Sequence, residues 1–122
     1  MTDEEQVHDF LASQKYMIIA VALSDGTPWA TPVKIQRWDK NIFEWDSVVS
    51  TDHSRAIELH PDISLALYRP DSETEHQFGF YAKARAARVT EPDNMNRARY
   101  RATVSASWIN DQSFVKREVW LA

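Results

Sequence analysis

The sequence predicts a mainly β fold, a small antiparallel barrel flanked by helices, and three observations predict it. Runs of β-branched and aromatic residues recur along the chain, as in YMIIAVAL and FGFYAKARAARV. Polar turn signals separate them at short spacing, and short connections favour antiparallel pairing. Closing such strands into a barrel removes the exposed edges that an open sheet would leave. At 122 residues the chain has the length of one domain, expected to span 1–122.

The elements follow in order. Val7, Phe10 and Leu11 fall at helical spacing and Thr2 is a capping residue, so a helix is expected over 3–13. A first strand over 16–23 and a second over 29–38 are joined by Ser24-Asp25-Gly26-Thr27 as a hairpin. Pro28 and Pro32 place the second strand at an edge or give it an irregular start. Trp38-Asp39-Lys40-Asn41 is another turn, leading into IFEW as a third strand. A short helix over 52–60 must stop before Pro61, which disfavours helical geometry at His60. ISLALYR forms a fourth strand, PDSETEHQ a polar loop, and residues 78–89 a fifth strand. Thr90 and Pro92 then read as a helix start, with that helix running over 94–106 and FVKREVWLA as the sixth strand.

Composition narrows the chemistry. Fourteen basic against eighteen acidic side chains give −4, so no global positive field advertises nucleic acid. The arginines at 97, 99 and 101 are two apart and would fan around a helix without making a stripe. With no cysteine and four scattered histidines, a disulfide framework and a structural zinc site are not expected. The N-terminus is acidic where a signal peptide is basic, and no apolar run has membrane-spanning length, so a cytoplasmic protein away from membranes is expected. Two distant glycines, Gly26 and Gly79, cannot build a glycine-rich phosphate loop.

One stretch raises a question: DHSRAIELHP puts Arg55 in the first turn of a helix, the positive end of the macrodipole. Either Arg55 bends into water, or an anion is held there by backbone N–H groups, Ser54 and Arg55. Ser54 equally suits a capping role, and His53 a surface one. Strand alternation sets Thr31 and Val33 on one face and Pro32 and Lys34 on the other, with Lys34 readable as a plain edge charge. Trp45 ends the third strand shortly before Ser54 and Arg55; like the other four tryptophans it also suits a core or an interface. A phosphate at the helix start and a planar ring along the neighbouring strands describe a flavin mononucleotide (FMN) site.

Those residues resemble the FMN-binding split-barrel proteins related to pyridoxamine 5′-phosphate oxidase. The resemblance runs from about Phe10 to Val89: an apolar strand with a D-G turn, T-P-V, the W-x-S element of "IFEWDS", H-S-R at a helix start, a proline before the fourth strand, and the aromatic-rich "FGFYAKARAARV". It implies a six-stranded antiparallel split β-barrel and a homodimer with one cofactor site per subunit at the interface. Thr31, Pro32, Val33 and Lys34 would face FMN, Trp45 and Ser47 would match W-x-S, and His53, Ser54 and Arg55 would sit at its phosphate.

The chain departs from the family pattern at Glu58-Leu59, where many relatives have Asn-Leu, and at Ala84, often a glycine. Full oxidases also have a longer C-terminal part, so pyridoxamine-phosphate oxidase activity itself is not expected. The resemblance points to an FMN-dependent oxidoreductase of unknown small substrate, or one that takes a reduced nicotinamide. A non-catalytic module that binds or senses a flavin, haem or deazaflavin is the alternative. No side chain stands out as a base or nucleophile, and flavin chemistry in its simplest form needs none.

Overall fold

Thr2 opens the chain with a capping box: its hydroxyl accepts from Glu5 N at 3.1 Å, and the Glu5 carboxylate accepts from Thr2 N at 3.1 Å. Helix α1 follows over Asp3–Ser13 and buries Val7, Phe10 and Leu11, the three residues whose spacing predicts it. The computed structural model describes all residues, 1–122, and contains two helices and eight strands.

Strand β1 (Tyr16–Ala22) turns through Gly26, at φ 87°, into β2 (Pro28–Lys34). Gly26 suits this turn because other side chains resist positive φ. Next come β3 (Arg37–Asp39), β4 (Ile42–Val48), helix α2 (Asp52–Leu59), β5 (Asp62–Arg69), β6 (Phe78–Arg88), β7 (Arg97–Asp111) and β8 (Arg117–Val119). All pairings are antiparallel, in the order β2-β1-β5-β6-β7-β4-β3, with β8 alongside β7.

The two ends of that order are neighbours in sequence. The run expected as a single second strand breaks at Ile35 and Gln36, so that β2 pairs with β1 and β3 with β4. Ile35 N reaches Lys15 O and Gln36 N reaches Glu44 O, both at 2.8 Å, which carries one bent run from edge to edge and curls the sheet into a split barrel. The expected fold class holds.

Two elements differ from expectation. Residues 94–106 form no helix; most of them lie in β7, the longest strand. Ala98, Tyr100, Ala102 and Val104 are buried while Arg97, Arg101 and Thr103 are exposed, a period of two that belongs to a strand. The residues that resemble a helix start close a hairpin instead. The Thr90 hydroxyl accepts from Arg99 N at 2.8 Å, and the Asp93 carboxylate accepts from Met95 N and Arg97 N at 2.8 and 3.0 Å. The sixth strand expected over 114–122 shrinks to the three residues of β8, and β7 takes its place in the barrel wall.

Inside, Met17, Ile19, Phe43, Trp45, Phe80 and Tyr100 are among the residues of one core. Helix α1 is tied to it by Phe10 against Phe78, with ring centroids 4.7 Å apart. Helix α2 buries Ala56 and Ile57 and touches β1 and β6.

Candidate functional site

The turn from β4 into α2 organises the site. Thr51 is the cap of α2, its hydroxyl accepting from Ser54 N at 3.2 Å. The Thr51 and Ser54 hydroxyls lie 2.7 Å apart, and Ser54 Oγ donates to Val48 O at 2.9 Å. Ser54 is therefore buried and its hydroxyl is used within the turn. His53 turns the other way: its Nε2 lies 3.0 Å from Ser47 Oγ and 3.4 Å from Thr51 Oγ1. Partial burial lowers the His53 pKa below the usual imidazole range, outweighing the opposing pull of Asp52, so the ring is neutral at pH 7.

Arg55 answers differently. It lies in the first turn of α2, exposed, with no carboxylate within ion-pair distance, whereas seven of the nine arginines have one. It borders a cleft of about 360 Å³ between α2 and the β1–β2 turn, beside Leu23, Ser24 and Asp52. A free guanidinium beside unsatisfied helix N–H groups can take an anion, phosphate above all.

Strand β2 divides its four candidates as alternation requires. Thr31 and Val33 oppose Ile19 and Met17 on the inner face, while Pro32 and Lys34 oppose Ile18 and Tyr16 on the outer face. No single ring can meet all four side chains. The backbone can still serve: β2 pairs only with β1, and an edge strand leaves N–H and C=O groups pointing away from its partner. Lys34, like Arg55, has no carboxylate in salt-bridge range. Trp45 belongs to the core. It is fully buried and stacked on Tyr100, with centroids 6.0 Å apart and planes 14° apart, and neither Trp45 Nε1 nor the Tyr100 hydroxyl has a partner.

The structure thus brings Ser47, His53 and Ser54 together, sets Arg55 on the same helical turn, places Trp45 inside, and splits the β2 residues between two faces. Thr51, which holds the cluster, was not singled out in the sequence, although a threonine three residues before Ser54 is a capping signal. Nor was Glu44. That residue lies on the outer face, only 4% exposed, under Arg101 Nε at 2.7 Å, Arg99 Nη1 at 3.1 Å and Arg37 Nη1 at 3.4 Å. Arg99 also holds Asp46. Two acids two apart facing arginines two apart are a strand-ladder signal, visible once residues 97–101 are read as extended.

The family model described as pyridoxamine 5′-phosphate oxidase matches residues 3–120. The chain belongs to that family. Among curated proteins nothing matches. Solved structures agree with the family's fold. A haem-binding protein from Mycobacterium smegmatis superposes with a TM-score of 0.83 at 14% identity, over 98% of this chain and 58% of that one. A Clostridium acetobutylicum protein related to general stress protein 26 of B. subtilis (pyridoxinephosphate oxidase family) gives 0.77 at 10% identity, over 98% and 97%. An FAD-binding protein from Mesorhizobium loti gives 0.73 at 11% identity, over 89% and 94%. Identities this low speak for the fold of this pyridoxamine 5′-phosphate oxidase-like chain. They leave its ligand to its own residues.

Proposed function

We propose that this chain binds FMN and acts, as a homodimer, as a flavin-dependent oxidoreductase on a small substrate or with a reduced nicotinamide. The observation that carries the reading is Arg55, an exposed cation without an acidic partner at the start of α2, in a chain of this family. Arg55 would hold the phosphate, and Lys34 offers a second free cation at the end of β2. His53, being neutral, would add a hydrogen bond without charge. The open edge of β2 would read the polar rim of the ring. When bound, FMN supplies transfer of a hydride or of single electrons, and the protein binds, orients and tunes it.

The homodimer reading is supported by the outer face of β2, β1, β5 and β6, where Pro32, Ile18, Ala66 and Tyr81 lie in one cross-strand row. Ile18 is 40% exposed there, and Tyr16 and Tyr68 are about 60% exposed. Such a contiguous apolar patch marks an interaction surface. Since β2 forms its rim, a second copy seated on this face would border the cofactor.

A non-catalytic binding module is the second reading, favoured by the likeness in fold to a haem-binding protein. Flavin suits these residues better than haem. His53 is the one histidine that is not exposed, and its Nε2 faces Ser47.

Titration with FMN, followed by quenching of its fluorescence with riboflavin as control, tests the reading. Arg55→Ala should weaken FMN by about 1.5–3 kcal/mol, roughly ten- to a hundredfold, and leave riboflavin unchanged. Equal FMN affinity in wild type and variant removes Arg55 from the phosphate. Reduction of bound FMN by a nicotinamide and its reoxidation would separate the enzyme from the module.

A further inference from the structure

Strands β6 and β7 lose register at one place. Lys83 pairs with Ala106 and Ala84 with Val104, so Ser105 has no opposite residue and forms a β-bulge. Two clefts of about 530 and 630 Å³ meet there, both lined by Ser105 and Arg85. Each is of ligand size, and together they make one groove across the outer face of the sheet. Its polar lining is largely cationic or hydroxyl-bearing: Lys83, Arg85 and Arg101 with Ser64, Thr103 and Ser105. Asp62 is the only acid in it, 3.5 Å from Arg85, and the two side chains are 86% and 72% exposed, so water weakens their pairing. Lys83 has no carboxylate partner, and its ammonium lies 5.8 Å from the Trp108 ring. Trp108 also has the Lys116 ammonium 5.0 Å from its ring and stands on β7 next to the cationic lining.

We propose that this groove is a binding site for a nucleotide that carries at least two phosphates, with Lys83 and Arg85 holding the phosphates and Trp108 flanking the base. On a chain of net charge −4, Lys83 and Arg85 against one solvated acid leave a local positive excess, since Arg101 is already held by Glu44 at 2.7 Å. The groove stands on its own residues; its use as the seat of an electron donor rests on the flavin reading above. Phosphates at Arg85 satisfy a guanidinium that Asp62 holds only weakly, and hydroxyls at 64 and 103 supply neutral donors, while Ser105 Oγ donates to Lys83 O at 3.3 Å.

NADPH is the first probe, titrated into FMN-free protein by its own fluorescence, with ATP as a competitor lacking nicotinamide and adenosine as a control lacking phosphate. NADPH should bind, lose affinity as salt rises, and yield to ATP but not to adenosine. The double variant Lys83→Ala/Arg85→Ala should bind NADPH at least tenfold more weakly, and the exposed Thr103→Glu, which brings a negative charge into the groove, should do likewise. FMN affinity should be unchanged in both, which also reports that they are folded. NADPH affinity that ignores both variants overturns the site. So does a parallel loss of FMN affinity, since the groove would then be part of the flavin site. A single-stranded oligothymidylate that binds far more tightly than NADPH overturns it in favour of nucleic acid. Groove-dependent NADPH binding without any FMN binding would uphold the site and remove the flavin reading.

Discussion

On the outer face of β2, β1 and β5 the side chains include Pro32, Ile18, Ala66 and Tyr68, with Lys34 at the end of β2, and on β3, β4 and β7 they include Arg37, Glu44, Asp46, Arg99 and Arg101. Both surfaces belong to one sheet and follow the same alternation, yet they are completed differently. The charged half is satisfied within the chain. Three guanidiniums share Glu44, and Arg99 also takes Asp46. The apolar half is left open by its own chain, and Ile18 and Tyr16 remain exposed. Ion pairs across a strand ladder are complete in a monomer, whereas apolar surface needs a second body. The comparison separates a surface that is satisfied within the chain from one whose apolar side chains stay exposed.

The strongest way to break this contrast is a charge in the apolar half. Ile18→Glu should turn a dimer into a monomer, read by light scattering on a sizing column, and should weaken FMN if the site borders both copies. A wild-type protein that is already monomeric would leave the apolar half uncovered by a second copy. Glu44→Ala tests the other half. Breaking a buried pair costs about 3–5 kcal/mol, but these guanidiniums are a third to a half exposed, so about 2 kcal/mol is expected in urea unfolding, with the oligomeric state unchanged. A loss below about 0.5 kcal/mol would make Glu44 an ordinary surface acid.

Acid sharpens the same contrast. Burial pushes the Glu44 pKa up, but hydrogen bonds from Arg101 and Arg99 outweigh it and hold the folded value below the usual 4.5. A depressed carboxylate contributes stability above its unfolded pKa and loses it as pH falls through the folded one. Stability should therefore drop as pH falls below the usual 4.5 and through the lower folded value, and Glu44→Gln should flatten that part of the profile. Ile18→Glu should leave the Glu44 part in place. The smallest effect is expected from Arg37→Ala, at about 0–1 kcal/mol, because Arg37 is half in water and Arg99 and Arg101 still hold Glu44.

Much of the fold was legible because its signals are local. Thr2, Gly26 and Pro61 mark a helix start, a hairpin turn and a helix end by steric and hydrogen-bonding rules that act over a few residues. The candidate site was legible in part. Arg55 appears as a cation out of place at a helix start, and the structure leaves it without an acidic partner. Ser54 and Trp45 could not be placed from sequence, because whether a hydroxyl or an indole faces a ligand or the core depends on Val48 and Tyr100, which other parts of the backbone bring to them.

Residues 90–106 show where the sequence stops. Thr90 and Asp93 carry the polar oxygens of a helix start, and the same oxygens close the β6–β7 hairpin. Arginines two apart fan around a helix or line one face of a strand, and local chemistry permits both. By itself the sequence determined which residues are apolar, where the β1–β2 and β3–β4 turns fall, and that an unusual cation opens α2. The tertiary structure decided the rest: Glu44 and Asp46 of β4 meet Arg101 and Arg99 across the ladder while Tyr100 enters the core, and that long-range pairing outweighs any local preference for a helix.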